Sequence, residues 1–89
     1  MQNESKALRD LDTLRKEIDE VDTALVALLN RRMGISKEVA LYKKANGLPV
    51  YQPQREAALL EKVGAAAQEK EAVLAVYAAI LAQSRALQG

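Results

Sequence analysis

The sequence predicts an all-α chain of three helices, one very long, one short and one of medium length. Three observations carry this. Alanine, leucine and charged residues dominate, a composition that favours helix. Apolar residues recur at alternating spacings of three and four from Leu11 through Leu14, Ile18, Val21, Leu25 and Leu28, and the same count continues to Ile35, Val39 and Tyr42. Breakers are confined to a few places, chiefly "NGLP" at 46–49, Pro53 and Gly64.

The first helix spans about residues 6–45. It contains no Pro, and its only Gly is Gly34. Gly47 suits a left-handed C-terminal cap and Pro49 cannot continue a helix, so the chain turns there. After the short loop "LPVYQ", Pro53 fits the first turn of a second helix, about 53–63, ending at Gly64. Residues 65–70, "AAAQEK", read as a turn or as further helix. A third helix covers about 71–88, with an apolar face of Val73, Tyr77, Ile80, Leu81 and Leu87.

Residues 1–89 make one small domain, and a chain of this length buries too little surface to be robust alone. It has no Cys and no His, which removes disulfides and points away from zinc and other transition-metal sites and from Ser-His or Cys-His catalysis. Association with another chain is the remedy left. The long helix says the same. A rod of roughly 60 Å far exceeds the ~13 Å radius of gyration of a compact monomer this size, and two shorter helices cannot cover it. Its apolar stripe therefore calls for a second copy, most simply in a two-fold homodimer.

Thirteen basic and 12 acidic residues give a net charge of +1, and the only aromatics are three Tyr, so the chain lacks the footprint of a nucleic-acid binder. No apolar run approaches the ~20 residues that span a bilayer. The polar start "MQNESKALRD" has no signal-peptide core, and a soluble cytoplasmic protein is expected.

Charged and polar groups interrupt the apolar faces. Arg32 stands where the first helix's stripe calls for an apolar residue, and a buried charge needs an anion or water. The plain alternative is that it snorkels or pairs with a carboxylate. Lys43 lies about 20° around the helix from Arg32 and roughly 16 Å along it, so both can lean toward one anion. On the third helix, Ser84 and Gln88 also extend an apolar face, although a hydroxyl bonded to its own helix or a solvated chain end would explain them. "QPQRE" puts Arg55 and Glu56 in the second helix's first turn, where the acid is ordinary and the arginine slightly disfavoured. Arg15 is about 25 Å from Arg32 along a straight helix. It joins the others only from an antiparallel partner chain, or else pairs with Asp19 on the surface. Such a set suits a small polyanion such as a dicarboxylate, and chemistry that needs positioning and electrostatic stabilisation rather than covalent attack.

The strings "LRKEIDEVDTALVALLNRRMGISKEVALYKK", "GLPVYQPQRE" and "ILAQSRALQ" resemble the all-helical class of chorismate mutases over about residues 8–88. The set formed by Arg15, Arg32, Lys43 and the "PVYQPQRE" segment is specific, although each piece alone is weak. The resemblance implies an intertwined homodimer of three-helix chains with shared active sites. It also implies conversion of chorismate to prephenate by a Claisen rearrangement without a cofactor, in aromatic amino-acid (Phe/Tyr) biosynthesis. By that likeness, Arg15 of the partner chain meets one substrate carboxylate, and Arg32, assisted by Ser84, meets the other. Lys43 contacts a carboxylate and the ether oxygen, Gln88 donates to that oxygen, Glu56 accepts from the ring hydroxyl, and Arg55 lines the site. Position 52, often Asp in the family and by the likeness a substrate-binding position at the ring hydroxyl, is Gln here. Gln52 can keep that contact through its backbone N–H, weakens it if the family uses the carboxylate, and is a poorer helix cap.

"SRALQG" resembles the point where bifunctional mutase–prephenate dehydratases continue, and both a free-standing enzyme and a first domain fit. An isochorismate-pyruvate lyase of the same fold is the nearest alternative. A non-catalytic helical dimerisation module is the alternative of a different class.

Overall fold

In the computed structural model, which describes residues 8–89, three helices and, among the described residues, no strand are present: α1 (Leu11–Ala45), α2 (Pro53–Ala66) and α3 (Lys70–Gln88). By its contacts the chain divides into two units, Met1–Arg32 and Met33–Gly89.

In the first unit, α1 starts at Leu11, not near residue 6. Residues 6 and 7 lie outside the described residues, and 8–10 are not helical. The cause is Asp10, whose Oδ1 accepts from the Thr13 backbone N–H at 2.8 Å while Oδ2 accepts from Thr13 Oγ1 at 3.0 Å. This is an N-cap, and it satisfies a donor that the helix itself cannot. Arg9 pairs with Glu17 just beyond it. The stripe residues Leu11, Ile18, Val21, Leu25 and Leu28 are all exposed, between 46% and 63%. Only Leu14, Leu29 and Arg32 among the described residues of this unit are partly covered.

The second unit begins within α1. That helix ends in a Schellman motif. Leu48 N–H donates to Lys43 O at 2.8 Å and Gly47 N–H to Lys44 O at 3.4 Å, with Gly47 at φ 66°. Lys43 and Lys44 lie in the last turn, where positive charge is favoured. α2 opens on Pro53. Gln52 precedes it without capping; its Nε2 instead donates to Pro49 O at 3.4 Å.

One boundary differs from expectation: α2 continues through Gly64 to Ala66, and α3 then begins at Lys70. Gly64 is buried, and a Cβ built on it would stand 3.2 Å from Lys70 Cε and 3.6 Å from Leu74 Cδ1. It therefore marks a close approach of α3 and does not end its own helix. α2 and α3 pack as an antiparallel hairpin, with Gly64 beside Leu74 at one end and Glu56 beside Arg85 at the other. Leu81 is the buried apolar residue at its centre, whereas Leu87, expected on the same face, is 43% exposed. The covered face of α3 continues instead through Ser84 to Gln88.

Gly47→Ala should cost about 1–2 kcal/mol, because a Cβ is strained in the left-handed region; urea unfolding measures it. The Asp10 carboxyl is held below its ordinary value of 3.8, chiefly by the Thr13 backbone N–H. Its ionised form favours the fold, so that contribution is complete above the ordinary value and is lost as pH falls through the lowered one. Protection of the first-turn amides of α1, taken relative to intrinsic exchange at each pH, should therefore fall below about pH 4 in the native protein, and should lack that dependence in Asp10→Ala.

Candidate functional site

The polar residues of the second unit meet where α1, the 46–52 loop and α3 converge. Lys43 is their centre. Its Nζ donates to Val50 O at 2.8 Å and to Gln88 Oε1 at 2.7 Å. α1 supplies Lys43 because its covered face here runs Met33, Ser36, Ala40, Lys43, at helical spacing. Ile35, Val39 and Tyr42, which continue the sequence stripe, lie on a different face and are 49%, 38% and 64% exposed. The loop is held against the end of α3, since a Cβ on Gly89 would lie 3.2 Å from Val50 Cγ2.

Ser84 is buried one turn before Gln88. Ser36 Oγ donates to Ser84 Oγ at 3.4 Å, and Ser84 Oγ lies 3.9 Å from Met33 Sδ. Two hydroxyls thus occupy the contact between α1 and α3. Glu56, in the first turn of α2, is partly buried and is held by Arg85 of α3. Arg85 Nη1 donates to Oε1 at 2.5 Å and to Oε2 at 2.6 Å. The guanidinium also lies over the Tyr51 ring, with Cζ 5.3 Å from its centroid.

The structure thus brings Lys43 of α1 and Gln88 of α3 into direct contact, and places Ser84 one turn earlier on α3 and Glu56 on α2, held by Arg85 of α3. Gln52 is partly covered at the start of α2 and Arg55 is exposed beside it. Arg32, the last residue of the first unit, is partly covered, and Arg15 is exposed on that unit with no ion pair to Asp19. Sequence reasoning missed Ser36 and Arg85. Ser36 could have been found by following the α1 face that carries Lys43 back one step at a time. Arg85 looked ordinary, because a basic residue in the last turn of a helix suits its dipole.

Lys43, Gln88 and the Ser36–Ser84 pair form a cluster of donors with no nucleophile–base pair among them. Residues 14–89 match the profile of the chorismate mutase type II family. The chain belongs to the chorismate mutase type II family. Among relatives, the bifunctional chorismate mutase/prephenate dehydratase of Aquifex aeolicus is 38% identical over 56 residues, 63% of this chain and 16% of that protein. The T-protein of Enterobacter agglomerans is 47% identical over 51 residues, 57% of this chain and 14% of that protein. The chorismate mutase of Methanocaldococcus jannaschii is 32% identical over 56 residues, covering 63% of this chain and 57% of that protein. The chain thus matches only a small part of the length of the first two relatives. A solved structure, a conserved hypothetical protein from Pyrococcus furiosus, superposes with TM-score 0.76 at 32% identity, covering 89% of this chain and 95% of that one. The chorismate mutase type II profile takes in every candidate site residue from Arg15 to Gln88. No helix among the described residues is long and apolar enough to cross a membrane.

Proposed function

We propose that the chain is a chorismate mutase, rearranging chorismate to prephenate in sites shared between the two subunits of an intertwined homodimer. The contact of Lys43 with Gln88 carries this reading. An ammonium has three donors, and two are spent on Val50 O and Gln88 Oε1. One N–H of Lys43 remains for a ligand. Because Gln88 offers its oxygen to Lys43, its amide NH₂ remains as a second donor. The pair therefore presents donors to whatever lies before it, which suits an ether oxygen gaining negative charge as its C–O bond breaks. A pericyclic step moves electrons around one ring of atoms within the substrate. It needs such donors and a restrained conformer, and no nucleophile.

The remaining roles follow from family membership. Arg32 and Ser84 bind one carboxylate, and Arg15 of the partner chain binds the other. Glu56 accepts from the ring hydroxyl, Gln52 lies at the same ring-hydroxyl contact, and Arg55 lines the site. The exposed faces of α1 support the dimer. Leu11, Ile18, Val21, Leu25 and Leu28, followed by Ile35, Val39 and Tyr42, form an apolar series left to water in a single chain. A second copy of the same helix offers a matching series. Each apolar side chain removed from water is worth roughly 1.5–3 kcal/mol at full burial, enough in sum to drive association.

Purified protein given chorismate should consume it at rates far above the uncatalysed reaction, while isochorismate should yield no pyruvate; a folded dimer without turnover would sink the assignment. Lys43→Met should lower kcat by about 10²–10³ while the dimer persists, by analogy with the loss of one oxyanion donor. Mixing Arg15→Ala with Arg32→Ala protein should restore activity as subunits exchange, since each heterodimer holds one intact site; no recovery despite exchange counts against sharing.

A further inference from the structure

The Arg85–Glu56 pair lies outside the roles that family membership assigns, yet it grips the one acid of the candidate site. Arg85 follows Ser84 directly on α3 and is partly buried, with 35% of its side chain exposed against 19% for Glu56. One nitrogen, Nη1, touches both carboxylate oxygens, at 2.5 and 2.6 Å. On its other side the guanidinium rests over Tyr51 of the loop. Three elements thus fix one cation: the loop through the ring, α2 through the carboxylate and α3 through the backbone that carries Arg85.

We propose that Arg85 is a positioning residue that sets Glu56 to accept the ring hydroxyl of the substrate, a proposal that rests on the mutase reading. Two physical effects point this way. The terminal torsion of a glutamate is broad, so an unheld carboxylate loses freedom when it must meet a hydroxyl. Contact at both oxygens removes that freedom beforehand. A carboxylate has about four lone-pair sites, and Nη1 occupies one on each oxygen, so acceptor capacity remains for a ligand. The second effect is charge. Glu56 alone would repel a dianion, and the guanidinium beside it cancels that repulsion. The orienting effect acts only through Glu56 and shrinks when Glu56 becomes a neutral amide, whereas the direct attraction of the guanidinium for the dianion stays.

The test is a double-mutant cycle of Arg85→Ala and Glu56→Gln, read as kcat and KM for chorismate and, by calorimetry, as Kd for prephenate. Arg85→Ala should lose roughly tenfold in kcat/KM, mostly through KM, and weaken prephenate binding by a similar factor. In the Glu56→Gln background the same change should cost clearly less, about threefold in either quantity, because only the direct attraction for the dianion is left to lose. Arg85→Lys, which keeps the charge, should recover part of the loss. Arg85→Gln, which keeps more of the packed stem, takes the place of Arg85→Ala if the latter does not fold. Equal losses in both backgrounds, or none in a folded Arg85→Ala protein, would overturn the positioning role while leaving the mutase reading intact. A wild-type dimer that neither turns over chorismate nor binds prephenate would overturn both.

Discussion

Lys43 ties the second unit together. A single ammonium accounts for the position of the loop, through the Val50 carbonyl, and for the orientation of the end of α3, through Gln88. Its own place depends on the last turn of α1, and the Lys43 carbonyl is itself engaged by Leu48 N–H in the motif that reverses the chain. Side chain and backbone of one residue thus hold the chain reversal and the polar cluster together. Charge-assisted hydrogen bonds are roughly twice as strong as neutral ones, so this tie outweighs the weaker polar contacts around it, such as Gln52 to Pro49.

A second constraint is what the chain leaves uncovered. The face of α1 that carries Met33, Ser36, Ala40 and Lys43 is partly or fully covered, while the face with Ile35, Val39 and Tyr42 is exposed. One helix thus has two assignments, an inner face that mixes apolar and polar groups and an outer face that is chiefly apolar. In the proposed dimer the outer face supplies the association energy and the inner one the chemistry. The two faces adjoin, since Val39 lies three residues after Ser36 and four before Lys43, so a change on one face is felt on the other.

The parts of this arrangement that are legible in the sequence are those with local causes. Gly47 and Pro49 mark the end of α1 because a left-handed turn is a property of a few consecutive residues. Lys43, Ser84 and Gln88 draw notice because each puts a polar group on an otherwise apolar series. Most of the misreadings have tertiary causes. Gly64 looks like a terminator until Lys70 and Leu74 are seen beside it. Leu87 looks like core until the covered face is seen to pass through Ser84 and Gln88. The start of α1 is the exception with a local cause: propensity alone does not choose among "KALRD", whereas the Asp10–Thr13 cap does. Arg85 was missed because its partners, Glu56 and Tyr51, lie far away in the chain.

The loop between α1 and α2 has a consequence for the temperature response of the molecule. It is pinned at Gly47 by the chain reversal, at Val50 by Lys43 and at Tyr51 by Arg85. Fixing a residue's backbone costs on the order of 1–2 kcal/mol, and here that loss falls within folding, not within ligand capture. A loop ordered in advance adds little heat-capacity change of its own when a ligand arrives. Binding enthalpy should then vary with temperature mainly through the surface that the ligand itself covers. Freeing the loop would steepen that variation, even where the contacts made in the bound state stayed the same.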